Sequence, residues 1–325
     1  MSRQLLVPLL DQVRFKREQL KDRLPTLPGT PLLFLSPFFL LFGVFLAIPV
    51  FYTFYLSFFT FQGVSTEALF AIDVGAYQIM IPEMANLQYV GLDNYRRLLT
   101  DSVFYQSLLN TAIIFVVQVP LMVALALGLA LVLNAAYTRY KGIFRSLLLL
   151  PVSANTVAYS AVFIVIAAEG GIADIALGAI GIPPIDWISD GFWARNLVAF
   201  MSVWRWTGYN MIIILAGLQT ISPSLYEAAE IGGATKIQKF RHITLPQLKP
   251  IMLFVFVTTT IGVFKKFAEP MIVISSGGPI NETRTIVYYI WQVAFQNLEL
   301  GYGSALTVAL VAIIMTLSLI QFKVS

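Results

Sequence analysis

The chain has 325 residues, of which 58% are hydrophobic and only 12% charged, and its mean hydropathy is +0.79. Soluble domains carry about 25% charged residues, so this composition excludes a soluble globular protein. The absence of cysteine excludes disulfides and thiol chemistry. The net charge of +4 is read as a topology signal, and no nucleic-acid partner is inferred from it.

Residues 1–30 form a basic tail. Leu6, Leu10, Val13, Leu20 and Leu24 recur at helical spacing, while Arg14, Arg17, Lys21 and Arg23 take other faces. That pattern predicts an N-terminal interfacial helix lying on a membrane surface, ended by Pro25, Pro28 and Pro31. No cleavable signal peptide is expected, because the tail exceeds an ordinary n-region and the apolar run after it is too long for an h-region.

Residues 31–325 read as a transmembrane domain. Apolar runs extend from Pro31 to Phe61, Ser107 to Ala136, Ser146 to Ala168, Leu197 to Leu218, Ile251 to Ile274 and Ser304 to Phe322. Each can cross the roughly 30 Å hydrocarbon core as a helix of about 20 residues. The expected fold is therefore an all-α integral membrane protein with six transmembrane helices. With the N-terminus inside, the inner segments hold fourteen Lys and Arg residues and the outer loops only Arg96, Arg97, Arg195 and Arg284. This asymmetry places both termini in the cytoplasm. The longest external loop, residues 62–105, carries five acids, and loops of that length are usually functional or disordered.

The segment 221–250 between the fourth and fifth runs is longer than a turn requires. Ser224 with Glu227, and Thr235 with Gln238, have capping-box spacing and predict two short helices. Gly232 and Gly233 lie between them, where glycine allows a sharp stop and a steep departure. Ala228 and Ala229 keep the first helix face low, Glu227 offers a carboxylate, and Pro246 and Pro250 suit the first turn of the fifth span. A cytoplasmic coupling elbow results, able to pass force into a transmembrane helix.

The run Glu227-Ala228-Ala229, followed by Gly233, Ile243 and Leu245-Pro246, resembles the cytoplasmic loop signature of permease subunits of ATP-binding-cassette importers. Val90 to Tyr95, Trp204 to Asn210, Ala216 to Gln219, Ser276 to Pro279 and Gly301 to Ala305 are similar to the carbohydrate-uptake branch, of maltose and glycerol-phosphate type. Within that branch the chain resembles the first of two paired permeases. The resemblance implies a second permease subunit, two copies of a cytoplasmic ATPase, an external solute-binding protein and a place in the cytoplasmic (inner) membrane of a bacterium or archaeon. It also implies that the helix Ser224 to Ile231 seats in a groove of the ATPase, with Glu227 facing basic groups there. Many family members have aspartate where this chain has Gly232.

Ionisable residues inside spans mark functional sites by default. Arg205 in the fourth run and Lys265 and Glu269 in the fifth qualify. Lys265 and Glu269 are spaced to share one helix face, with Lys266 on a neighbouring face. Antiparallel spans put Arg205 and Glu269 at comparable depth, which predicts a buried charge network beside a solute path. Trp204, Trp206, Tyr209 and Asn210 combine flat apolar faces with hydrogen-bonding groups suited to sugars, and Phe264 joins these pathway candidates.

No catalytic constellation is present. His242 is the only histidine, and there is no glycine loop ending in Lys-Ser or Lys-Thr. The chain therefore carries no cofactor of its own in this reading, and ATP and Mg belong on the partner ATPase. The alternative is an ion-coupled secondary carrier without an ATPase partner, which would be expected to show repeated halves and acid or histidine relays within its spans.

Overall fold

The computed structural model describes residues 30–61, 68–74, 77–82, 87–135 and 140–324. The interfacial helix expected in the N-terminal tail lies outside them. Two units are distinguished, residues 1–52 and 53–325. In the first, helix α1 (Thr30–Phe42) passes through a π-turn, Gly43–Ala47, into α2 (Ile48–Leu56). The stretch Phe34–Leu56 is long and apolar enough to span a bilayer, and none of it is buried.

The second unit begins within α2 and continues with strand β1 (Phe59–Phe61), the hairpin β2 (Ala68–Val74) and β3 (Tyr77–Pro82), and β4 (Leu87–Tyr89). β1 pairs antiparallel with β4, and β2 with β3. The fold is mostly helical as expected, and these two short ribbons are what the all-α expectation did not include. Alternating β-branched and aromatic residues such as Phe70, Ile72, Val74 and Ile79 favour a pleated ribbon, and two residues between β2 and β3 suffice to reverse the chain. Helix α3 (Asp93–Thr100) then returns to the bundle. Asn94 Nδ2 donates to the carbonyls of Ser57 and Phe59, each at 2.9 Å, and so closes the base of the loop.

The core is built on α4 (Ser102–Asn134) and α8 (Gly191–Thr220), which pack along most of their length. Helix α4 begins at Asp101, whose carboxylate accepts from the backbone N–H groups of Val103 and Phe104. Against this pair lie α5 (Lys141–Ser153), α6 (Thr156–Ala167) and α11 (Leu245–Phe264), with α15 (Leu300–Val324) packed on α11. Ile114, Ala126, Ala130, Val198, Met211 and Ile214 are buried between them. Gly208 makes the crossing of α8 and α5 close, since a Cβ there would fall 1.7 Å from the Leu148 carbonyl oxygen. Of the shorter helices, α7 (Ile172–Ala179) and α12 (Ala268–Ser275) pack on α6, α13 (Ile280–Thr283) on α4 and α8, and α14 (Ile286–Trp291) on α4 and α15.

Four stretches have the length and apolarity of a span by themselves, and two bent pairs bring the number to six. The expected span Ser146 to Ala168 is one of those pairs, bent by 97° between α5 and α6. Pro151 removes a backbone donor near the end of α5, and Asn155 restarts the chain as an N-cap, accepting from the Val157 N–H at 2.9 Å.

Candidate functional site

The elbow comprises α9 (Pro223–Ile231), α10 (Lys236–Lys239) and a π-segment, Phe240–Thr244, that runs into α11. Helix α9 starts at Ser222 with Pro223 in its first turn and no side-chain cap, so the Ser224–Glu227 capping box expected from spacing is not formed. The Thr235–Gln238 box is formed, with the Thr235 N–H donating to Gln238 Oε1 at 2.8 Å and Thr235 Oγ1 accepting from the Gln238 N–H at 3.3 Å. At the turn Gly233 has φ +74° while Gly232 has φ −75°. Only Gly233 needs glycine's left-handed freedom. The Gly233 N–H reaches the Glu230 carbonyl and the Ala234 N–H reaches that of Ala229, each at 2.9 Å, completing a Schellman stop.

The second limb does not leave as a separate short helix. Proline at 246 has no N–H to return to His242, and the ladder widens so that the Leu245 N–H reaches the Phe240 carbonyl. The second limb, the π-segment and α11 are thereby one continuous rod from Lys236 onward. Across the bend, Lys239 Nζ bonds the Glu230 carboxylate, and the Tyr226 hydroxyl meets Thr244 Oγ1 at 2.9 Å. The Lys239 hydrogen bond and charge hold Glu230 below the usual carboxylate range. Glu227, Ala228, Gly232, Gly233, Leu245 and Pro246 are exposed, Ala229 and Ile243 are half-buried, and Ile231 and Ile237 project at 91% and 78% exposure. Ile243 packs against the bundle core.

A cavity of about 480 Å³ lies among α4, α8 and α11 and the start of α6. Arg205, Tyr209, Asn210, Lys265 and Glu269 line it, together with Gln118, Met122, Thr156, Trp206, Thr258, Lys266 and Phe267. Two sequence-derived candidates lie elsewhere. Trp204 packs on Tyr159 and Phe163, at ring distances of 5.9 and 5.5 Å. Phe264 is buried against Phe115, 6.0 Å away.

The shared helix face expected for Lys265 and Glu269 is not formed. Helix α11 stops at Phe264, and Lys265, Lys266 and Phe267 are irregular before α12 begins. Backbone of this kind is tolerated at membrane depth where it lines a cavity or is held by protein, and the Lys266 carbonyl accepts from Thr285 Oγ1 at 2.7 Å. The break turns Lys266 inward to 6% exposure and leaves Lys265 exposed. Lys266, not Lys265, is therefore the cation beside Glu269, at 3.6 Å. Lys266 also donates to Ser202, and Glu269 Oε1 accepts from the Tyr159 hydroxyl at 2.7 Å and from Ser202 at 3.3 Å. Arg205 makes no ion pair with Glu269 among the described residues. It donates to Thr156 and lies over the rings of Tyr159 and Trp206, 5.0 and 5.4 Å from their centroids. Tyr159 thus joins the two charges the sequence pointed to. Sequence reasoning missed Tyr159, Thr156 and Gln118, because uncharged residues in apolar helices carry no signal until a bend gathers them.

Apolar helices of spanning length gathered around a cavity that holds charged side chains define an integral membrane protein. Residues 122–324 match the family described as binding-protein-dependent transport system inner membrane component, and the chain belongs to that family. It is 38% identical over 294 residues to the lactose transport system permease protein LacF of Rhizobium radiobacter, covering 89% of this chain and 92% of that one. It is 32% identical over 318 residues to the arabinooligosaccharides transport system permease protein AraP of Bacillus subtilis (strain 168), covering 95% and 93%. A solved bacterial ABC transporter involved in import of the acidic polysaccharide alginate shares the fold, with a TM-score of 0.71 at 19% identity over 96% of this chain and 98% of that one. The protein is accordingly an inner-membrane permease component of the ATP-binding-cassette type. The secondary-carrier alternative finds no support among these relatives.

Proposed function

We propose that this chain crosses the inner membrane six times, with both termini in the cytoplasm, and forms half of the path by which an ATP-driven importer takes up a carbohydrate. It pairs as the first permease with a second permease subunit, and two copies of a cytoplasmic ATPase bind ATP and Mg. An external solute-binding protein delivers the sugar. The relatives that carry lactose and arabinooligosaccharides support the carbohydrate class.

One observation carries the mechanism. The rod that begins at Lys236 in the elbow ends at Phe264, immediately before the irregular residues that line the cavity. Helix α9, with Glu227, Ala228 and Ala229, is the docking limb for the ATPase. Closure of the motor displaces α9, the Glu230–Lys239 and Tyr226–Thr244 links pass that displacement to the rod, and the rod moves the cavity wall. The cavity residues Arg205, Tyr209, Asn210, Lys265 and Glu269 lie on the solute path, and Trp204 and Phe264 support it from behind. Nucleotide and loaded binding protein drive the switch through their differential affinity for the inward- and outward-facing states.

The test is co-purification and uptake with the four partner subunits. Glu227→Lys and Gly233→Trp are expected to release the ATPase and abolish uptake while the spans stay inserted. Retained ATPase with normal uptake in both variants, or transport by this polypeptide alone in liposomes, would overturn the reading.

A further inference from the structure

The charges of the cavity do not balance. Its charged lining residues are Arg205, Lys265, Lys266 and Glu269. Glu269 is committed to Lys266, Tyr159 and Ser202, so that carboxylate and Lys266 neutralise each other. Arg205 and Lys265 are left with no carboxylate partner among the described residues. Arginine stays protonated in proteins, so its charge cannot be removed by losing a proton. Uncompensated cations inside a membrane protein are costly and face cavities that carry ions or substrates.

Three further features point to what enters. Arg205 Nε is buried with no hydrogen-bond partner among the described residues, leaving donor capacity unused on a group suited to planar oxyanions. Gln118 is only 3% exposed and lines the same cavity, and its Oε1 is buried with no hydrogen-bond donor among the described residues, an acceptor left unsatisfied beside the cavity. Thr156 brings the first turn of the twelve-residue helix α6, the positive end of its dipole, to the cavity wall. The volume of about 480 Å³ is in the range of small-ligand sites.

We propose that the cavity binds a carbohydrate bearing an anionic group, a carboxylate, sulfonate or phosphate, met by Arg205 and Lys265, with a sugar hydroxyl donating to Gln118. The proposal rests on the permease reading above and narrows its substrate class. Gln118, Arg205 and Lys265 would then set specificity within the membrane, separately from selection by the external binding protein.

The experiment uses the complete permease–ATPase complex in phosphatidylcholine nanodiscs, without the external binding protein, and equilibrium binding of two probes of equal size. One is lactobionate, a disaccharide carboxylate, and the other is its neutral amide, lactobionamide. The acid is expected to bind more tightly by on the order of tenfold or more. Raised salt, Arg205→Gln and Lys265→Gln should each shrink that preference. Lys265 is exposed, so Lys265→Gln keeps the test informative should Arg205→Gln fail to insert. Equal binding of the two probes, tighter binding of the amide, or no binding of either overturns the proposal. ATP hydrolysis by the same complex is measured alongside. An assembled, hydrolysing complex without acid preference would sink the anionic class and leave the permease reading standing, whereas failure of the ATPase to assemble with this chain would sink the latter.

Discussion

Tyr159 and Glu269, 110 positions apart, meet in a 2.7 Å hydrogen bond from the phenol to the carboxylate. The same ring lies beneath the Arg205 guanidinium. Tyr159 stands in the first turn of α6, after the 97° bend, and Glu269 in the first turn of α12, after the break at residues 265–267. Two interrupted spans are thus tied to each other at the cavity by one side chain.

Tyr159→Phe removes the hydroxyl and keeps the ring. Glu269 would retain Ser202 and Lys266 but lose a close donor, and an underbonded buried polar group costs about 1–3 kcal/mol. The thermal midpoint of the solubilised complex should fall by several degrees. A midpoint equal to that of the parent would show that the bond adds nothing to stability.

Gly208→Ala and Gly217→Ala should differ sharply. At Gly208 the new methyl meets the Leu148 backbone oxygen at 1.7 Å, which can be relieved only by moving α5 away from α8. At Gly217 it meets Ile251 Cδ1 at 2.2 Å, the flexible end of a side chain that can rotate. Gly208→Ala is expected to lose about 1–3 kcal/mol or more and most of the folded yield, and Gly217→Ala to retain a monodisperse protein. Size-exclusion profiles decide, and equal yields would contradict the close crossing.

Asp101 predicts an acid-sensitive anchor at the start of α4. Burial alone would raise its carboxyl, but hydrogen bonds from Tyr289, Tyr302 and the N–H groups of Phe104 and Val103 outweigh it and hold the group below its ordinary 3.8. A carboxylate depressed in the folded state contributes its stabilisation above the unfolded value and loses it as pH falls toward the folded one. Asp101→Asn should therefore be less stable than the parent at neutral pH, with the gap closing below about pH 4. Melting curves across pH test this, and a gap that stays constant down to strongly acid pH would refute it.

Glu230→Gln should leave the thermal midpoint unchanged because Glu230 is exposed, and Lys239→Met should change it little because the methionine keeps the apolar stem of a side chain that is only 16% exposed. If the pair transmits movement from α9 to the rod, the ATPase should remain bound while uptake per ATP hydrolysed falls several-fold. The charge exchange Glu230→Lys with Lys239→Glu should restore coupling. Unchanged transport stoichiometry in both single variants would remove the pair from the coupling path.

Much of this was legible in the amino-acid order. Spans announce themselves through unbroken apolarity, and the elbow through Thr235–Gln238 and Gly233, because caps and left-handed turns are decided by residues within a few positions of one another. The cavity was legible only as segments. Arg205 and Glu269 stand out as charges in apolar runs, but whether they touch depends on where two helices bend. Helical spacing put Lys265 beside Glu269, and the break before α12 reversed the choice in favour of Lys266. Trp204 and Phe264 resemble their cavity-lining neighbours in chemistry and differ from them only in the direction they face.

By itself the sequence determined membrane residence, the family and the place of the elbow, since hydropathy, composition and a short motif are local properties of the chain. Tertiary structure decided which cation neutralises Glu269, which cations remain unpaired and which uncharged groups join them around the cavity. Electrostatic pairing depends on distances of a few ångströms across helices remote in sequence, and those distances exist only once bends and breaks have brought the helices together.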